Sequence, residues 1–425
     1  MKIIADLHIH SRYSRACSQD LTLENIAKWC EIKGINIVAT ADFTHPAWFR
    51  DCQNQLIESE PGLYKLKSSD SPTRFLFSTE ISCIYSKGGK TRRLHIVILA
   101  PSMETAGKIN GALDKIGNLK SDGRPILGLD AKLLAEIVFA IDKNCLVVPA
   151  HAWTPWFAVF GSKSGFDSIE ECFEELTPEI FAIETGLSSD PAMNWRLSAL
   201  DKITLISNSD AHSLANLGRE ANVFELEKIS YNEIVNAIKN RSPLQRQSVS
   251  SPRQSALLYT IEFYPEEGMY HLDGHRDCGV RLTPTETKKQ KNICPICKKP
   301  LTVGVLNRVE ELADRPEGFT PKNAVPFRRL VGLDKIIAEA LEIKSRSSKQ
   351  VQNEYKNIIK KAGNELTVLT DLSQNELKKI TTPKIVEGIM RAREGKLIIE
   401  PGFDGQYGTL KIFSEKEKVK QNSLF

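Results

Sequence analysis

The chain has 425 residues and a net charge of +4, with 41% hydrophobic and 26% charged residues. This is the balance of an ordinary globular protein and excludes a disordered, collagen-like or purely polyelectrolyte chain. No apolar run approaches the ~20 residues of a membrane span, and Met1–Asp6 lacks the layout of a secretion signal. The expected location is the cytoplasm, with no membrane partner.

The length accommodates two or three domains. Residues 251–425 carry 30 Lys+Arg against 23 Asp+Glu, whereas residues 1–250 carry 27 against 30. An acidic front and a basic back suit a protein that holds cations with the first and a polyanion with the second, although a solvated basic surface gives the same totals. Seven of the nine cysteines stand alone, and only Cys294 and Cys297 are close, which is not a disulfide framework.

In chain order, short apolar strands are expected at Ile3–His8, Ile35–Ala41, Phe75–Ser78, Leu94–Leu99, Cys145–Ala150, Ile180–Ile183 and Ile203–Ile206. Helical stretches alternate with them, including Leu23–Lys33 with Thr22 as N-cap, Asp130–Asp142 and Ser168–Leu176. Apolar strands alternating with helices point to a parallel sheet covered on both faces, hence the α/β class. A barrel is preferred to an open sheet because its strand ends converge on one face.

The rhythm stops near residue 245, where the polar stretch Gln245–Ser255 reads as a linker. The expected domains are 1–245, a barrel; 246–315, the linker and a small zinc-binding module; and 316–425, a basic α+β domain that binds nucleic acid. The last carries helices at Val331–Leu341, Lys349–Ala362 and Pro383–Glu394, then a hairpin of Lys396–Glu400 with Thr409–Phe413.

Ligand-type residues recur where the strands end: His8-Ile9-His10, Asp42, Glu80, His151 and Asp210-Ala211-His212, with His95 inside the fourth strand. A lone strand histidine is more often core or surface, and a lone carboxylate more often a helix cap. Six of the eight histidines nevertheless stand at or near strand ends, and residues two apart on a strand face the same way. Mixed N/O donors suit Zn²⁺, Mn²⁺ or Fe²⁺ better than purely oxygen-seeking cations. Asp210 is the expected essential carboxylate, with His151 or His212 as the proton donor to the leaving group. Further on, His275-x2-Cys278 and Cys294-x2-Cys297 have the spacing of one structural zinc, with His271 as an alternative fourth ligand.

On these residues, the first ~245 positions resemble the polymerase-and-histidinol-phosphatase (PHP) domain. The resemblance implies a distorted (β/α)7 barrel and a phosphoesterase site of two or three divalent metals (Zn, Mn or Mg). The positions that match are His8, His10, Asp42, Glu80, His95, His151, Asp210 and His212. Two positions depart from the pattern. Phe43 stands where the family has a histidine, so that Asp42 ligates or His45 folds back, and Ala16, Cys17 and Ser18, with Asp20 slightly late, leave another ligand open.

The strings Phe43–Trp48, His151–Trp156, Gly161–Asp167, Ser209–His212, Gly304–Arg315 and Pro401–Gly405 resemble the endonuclease Q family, from residue 1 to ~413. That implies a DNA repair endonuclease whose metal-activated water cuts the phosphodiester 5′ of deaminated bases (uracil, hypoxanthine, xanthine) or abasic sites. The partner is then damaged DNA, single- or double-stranded, at the nucleoid, with a replication or repair clamp as a further partner. Trp153, Trp156, Ser162, Lys163, Arg92 and Arg93 are the expected nucleic-acid contacts, each also explicable as loop packing or solvated surface. The competing functions are a small-molecule phosphatase, such as a histidinol phosphatase, and an inert nucleic-acid-binding accessory.

Overall fold

A computed structural model describes residues 1–240 and 255–414; most of the expected linker lies outside them. The principal sheet runs, neighbour to neighbour, Phe327–Arg329, Ala256–Glu262, Ala221–Glu225, Lys2–Asp6, Ile37–Ala39, Arg74–Lys87, Lys90–Ala100 and Leu146–Pro149. Lys2–Asp6, Ile37–Ala39 and Arg74–Lys87 are parallel. Ala182–Glu184 and Thr204–Ile206 form a separate parallel pair. That pair rejoins the ring at its top, where Ala152 N donates to Glu184 O at 3.0 Å and Ile9 bridges Ala211. The result is a barrel closed at the functional end and irregular below.

Alternation along the strands explains the layers. Ile3, Ala5, Leu7, Leu76, Val97 and Val148 fill the interior, while Val38, Phe75, Ile96, Ile98 and Val147 face the surrounding helices. A one-residue slip would exchange the two sets and push the site histidines out of register. Thr22 caps Leu23–Lys33 as expected, accepting from Asn25 N at 3.3 Å.

Two features depart from the parallel expectation. Lys90–Ala100 returns antiparallel to Arg74–Lys87, because Gly88 and Gly89, at φ 61° and 71°, supply the left-handed pair that a tight hairpin turn needs. His95 therefore stands in mid-strand opposite Ser82. Ala256–Glu262 and Phe327–Arg329, beyond the expected boundary at 245, also extend the barrel sheet. The front and back of the sequence share one sheet.

The small module expected to bind zinc is the hairpin Asp273–His275 with Val280–Leu282, the helix Pro284–Lys289, a knuckle at 294–297 and the helix Val305–Leu312. The C-terminal unit packs Leu333–Ala340, Lys349–Ala362, Gln374–Ile380 and Pro383–Arg393 with the hairpin Ile398–Glu400/Thr409–Lys411 around its own core. It docks on the barrel through Lys33, whose Nζ lies 2.6 Å from buried Glu365.

Candidate metal centre

Glu80 ends up at the middle of the barrel mouth, buried, with its two oxygens facing different groups. Oε2 lies 3.3 Å from His10 Nε2 and 3.6 Å from His8 Nε2, and Asp210 Oδ1 is 3.0 Å from the same His10 nitrogen. Oε1 lies 2.9 Å from His95 Nδ1 and 3.2 Å from His151 Nε2. His8, His10, Glu80 and Asp210 thus form one set of donors, and Glu80, His95 and His151 another, each with its ligand atoms within 4.8 Å of one another.

The donor set fits divalent cations on its own evidence. His8 Nε2, His10 Nε2 and Asp210 Oδ1 are buried without a hydrogen-bond partner; the close approach of His10 to Asp210 lacks hydrogen-bond geometry. Orphaned polar atoms in a core are costly unless something satisfies them. The electrostatics agree. Burial disfavours charge on His8, yet Glu184 and Glu80 more than reverse it and hold the ring well above its usual pKa. Burial likewise opposes charge on His10, and the carboxylates of Asp42 and, beside it, Asp210 override it. Burial opposes ionisation of Asp210, but His10 and His8 hold its carboxyl well below the ordinary range. A site that draws protons onto its histidines in this way has excess negative charge for cations to neutralise.

Other carboxylates aim the ligands from behind. Glu184, at the end of its strand, meets His8 Nδ1 at 3.0 Å through both oxygens and also accepts from Asn208 Nδ2 at 2.8 Å and His151 N at 3.1 Å. Asp42, expected as a ligand, stands behind His10 instead. Its Oδ1 is 3.0 Å from His10 Nδ1, and its Oδ2 is taken by Ser11 N, Ser11 Oγ and Ser14 Oγ at 2.7–2.9 Å. Such outer partners fix ring tautomer and direction. Asp42, His151 and Asp210 have φ of 36°, 30° and 46°, a backbone conformation non-glycine residues rarely adopt and one that clusters at functional sites.

Neither Asp42 nor His45 takes the place of the missing imidazole in the donor sets. Phe43 is wholly buried against Phe77, and His45 caps the helix Pro46–Gln55 and stacks on Tyr13. His212 lies outside both donor sets, its ring edge-on to His10 and its Nδ1 2.9 Å from the Asp210 carbonyl. Two residues were not foreseen. Glu184 follows an apolar strand just as Glu80 does, a signal the sequence carried. Arg124, whose Nη1 is 3.0 Å from Glu80 Oε2, comes from a loop with no motif around it.

The loop after His151 carries four of the six residues expected to contact DNA, Trp153, Trp156, Ser162 and Lys163. Trp153 is buried, its Nε1 donating to Asn194 at 2.7 Å and its ring against Phe160, so it supports the loop from inside and is corrected as a DNA-facing residue. Trp156 is half-buried beside Tyr270, and Lys163 is exposed; Ser162 Oγ is buried without a partner. Arg92 props the loop from below, its guanidinium donating to Gly165 O and lying 3.9 Å over the Phe166 ring. Arg93 meets the same loop through its backbone, its N donating to Ser164 O at 3.3 Å. Arg308, also buried, donates to Phe160 O and Phe166 O at 3.1 Å.

A second cluster stands apart. His275, Cys278, Cys294 and Cys297 bring their donor atoms within 4.8 Å of one another, in a knuckle closed by Cys294 N to Lys299 O at 2.8 Å and a left-handed Lys298 at φ 64°. Three thiols and one imidazole match the donor set of a tetrahedral structural zinc. His271 lies outside this cluster, near Glu266, Asp190 and Arg329.

Comparison with known proteins extends this geometry to the whole chain. Residues 195–243 match the family described as PHP-associated, and residues 332–396 match the MJ0043 C-terminal domain. Protein MJ0043 of Methanocaldococcus jannaschii is 35% identical over 277 residues, 64% of this chain but 32% of its own, so this chain spans about a third of that curated relative. The crystal structure of the lesion-specific endonuclease PfuEndoQ from Pyrococcus furiosus superposes with a TM-score of 0.84 at 30% identity, covering 100% of this chain and 98% of that one. A structure of endonuclease Q with a 27-mer duplex bearing an abasic lesion at its active site superposes at 0.83, again at 30% identity, covering 98% of each chain. The chain belongs to the endonuclease Q family.

Proposed function

We propose that this protein is a DNA repair endonuclease that hydrolyses the phosphodiester 5′ of a deaminated base or an abasic site. The observation that carries the reading is the shared position of Glu80 between two donor sets at the mouth of the barrel, in a chain whose back half is basic. Its support is the full-length likeness to a lesion-specific endonuclease and to one held on an abasic duplex.

His8, His10, Glu80 and Asp210 would hold one divalent cation, and Glu80, His95 and His151 another. Bound there, such cations acidify water and offset charge as a phosphodiester is displaced. The chain's own residues do the rest. Glu184 and Asp42 keep the rings of His8 and His10 facing inward. Arg124 adds a fixed positive charge beside Glu80, placed for a non-bridging phosphate oxygen. His212, with 32% of its side chain exposed and free of both donor sets, is the group placed to give a proton to the leaving oxygen. The lesion leaves the stack to be cut, which costs least where pairing is already weak, and the loop with Trp156, Ser162 and Lys163 receives it.

The nick leaves a 3′-hydroxyl that a polymerase extends, so we include a replication or repair clamp as a second partner. Co-elution of the full chain with a clamp tests this. The nine cysteines are unpaired, which supports placing the work in the reducing cytoplasm, at the nucleoid. No helix among the described residues is long and apolar enough to cross a membrane.

The test of function is a set of end-labelled duplexes, each with one uracil, hypoxanthine, xanthine or abasic site, incubated with Mg²⁺, Mn²⁺ or Zn²⁺. One nick 5′ of the lesion and none in undamaged DNA is expected. Cleavage blind to the lesion, or turnover of small phosphomonoesters in its place, overturns the reading in favour of a PHP-type phosphatase.

A further inference from the structure

The most exposed large aromatic residue in the described chain is Tyr407, with 75% of its surface open to solvent. It stands on a loop that is locked in place. Gly402 N donates to Glu266 O at 2.9 Å, Gly405 N to Met269 O at 3.0 Å and Gly408 N to Glu267 O at 3.1 Å, while Leu272 N donates to Gly402 O at 2.9 Å. A side chain on Gly402 or Gly408 would collide with the backbone oxygens of Gly268 or Glu266. Asp404 and Gly405 take left-handed conformations, φ 42° and 83°, and Asp404 accepts from Arg276 N at 2.6 Å. A single exposed aromatic needs no explanation on a floppy segment. Here every neighbour is fixed, and the ring is still presented to water.

The loop is continuous with the mouth of the barrel. His151 reaches Thr154 Oγ1 at 3.2 Å, and that hydroxyl donates to Trp156 O at 2.9 Å. The Trp156 ring packs 5.4 Å from Tyr270, whose hydroxyl lies 3.7 Å from where a side chain on Gly405 would begin. Two arginines flank the loop. Arg276 is 57% exposed, with Asp277 3.9 Å away, and exposed Arg281 donates to Pro401 O at 3.1 Å. Three separated stretches of chain therefore place Trp156, Tyr270 and the Gly402–Gly408 loop in series, with Arg276 and Arg281 beside the loop.

We propose that Gly402–Gly408 is a second DNA-contacting element, and that Tyr407 stacks on the bases of the duplex beside the extruded lesion. This rests on the endonuclease reading and adds the residue that grips the flanking duplex. Stacking suits the partner because every base offers a π-face, whatever the sequence, and the arginines supply phosphate attraction. A stacked ring also fills the gap an extruded nucleotide leaves.

The test uses the full chain as wild type, Tyr407→Ala and Tyr407→Trp, with equal melting temperatures and zinc content confirming folding. Binding of an abasic duplex is read by fluorescence anisotropy in EDTA, and nicking by KM and kcat. Tyr407→Ala is expected to weaken duplex binding and raise KM about tenfold, the size of one lost stack. kcat and hydrolysis of bis(p-nitrophenyl) phosphate should hold, and Tyr407→Trp should restore binding. Wild-type binding by Tyr407→Ala, or an equal loss on the small diester, overturns the proposal. If wild type binds the duplex but never nicks it, the endonuclease reading fails by itself, and the anisotropy comparison still decides Tyr407.

Discussion

His8 Nδ1 lies 3.0 Å from both carboxylate oxygens of Glu184. That contact turns the opposite nitrogen, Nε2, towards Glu80 and Asp210, 3.6 Å and 3.9 Å away. The same carboxylate accepts from His151 N, so one outer residue sets a ligand in each donor set.

Replacing Glu184 with alanine should therefore loosen both sets together. A metal affinity lower by about 10–100-fold is expected, read by calorimetric titration of Mn²⁺, with a parallel rise in the metal concentration needed for nicking. A change in nicking with no change in metal affinity would contradict the orienting role.

Glu80→Gln tests the sharing of one carboxylate. The amide keeps the shape but loses the charge that both sets use, so nicking should fall by on the order of a hundredfold or more. Binding of lesion duplex, measured without metal, should not fall. If only one cation is lost in a stoichiometry measurement and activity survives, the two sets are independent.

The knuckle should act on the barrel mouth as well as on itself. Asp273, two residues before His275, accepts from Gly304 N and Asn307 Nδ2, both at 2.6 Å, and so ties down the start of the helix that carries Arg308. Cys297→Ser, or stripping with a chelator, should lower Tm by about 5 °C. Hydrogen exchange should rise both at 294–301 and in the 156–167 loop that Arg308 holds. Faster exchange at the knuckle alone would contradict this route.

A buried acid predicts the pH dependence of stability. Burial, with Asp190 nearby, pushes the Glu262 carboxyl from 4.5 up to about 8, and burial plus the Glu262 charge raises Glu220 too. The folded state keeps a proton that the unfolded chain has released. That contribution is full below pH 4.5 and is lost as pH rises to about 8. Wild-type Tm should therefore fall by a few degrees relative to Glu262→Gln between pH 5 and pH 8.5. Parallel curves would show that Glu262 does not hold its proton.

Much of this was legible because apolar strands closed by a polar residue are a strong signal. His8, His10, Glu80, His151 and Asp210 all stand out that way. What sequence does not carry is direction. Asp42 is at the barrel mouth, but whether its oxygens meet a cation or the back of an imidazole depends on Ser11 and Ser14 meeting it in space. Trp153 and Trp156 are three residues apart in one loop, and only folding decides which is buried. Ala256–Glu262 falls within the segment expected as linker and zinc-binding module, yet it pairs with Ala221–Glu225 across a polar stretch that looks like a boundary. The hairpin at Gly88-Gly89 was written plainly, and the periodic strands on either side obscured it.

The most direct measurement maps the cut, to the nucleotide, in a duplex with one abasic site under single-turnover conditions with Mn²⁺. Wild type is expected to cut once, 5′ of the lesion, and not at all in EDTA. Asp210→Asn should bind the duplex normally and cut at least about a thousandfold more slowly. Cutting by Asp210→Asn at the wild-type rate, cutting in EDTA, or cutting away from the lesion would contradict a lesion-directed, metal-dependent centre.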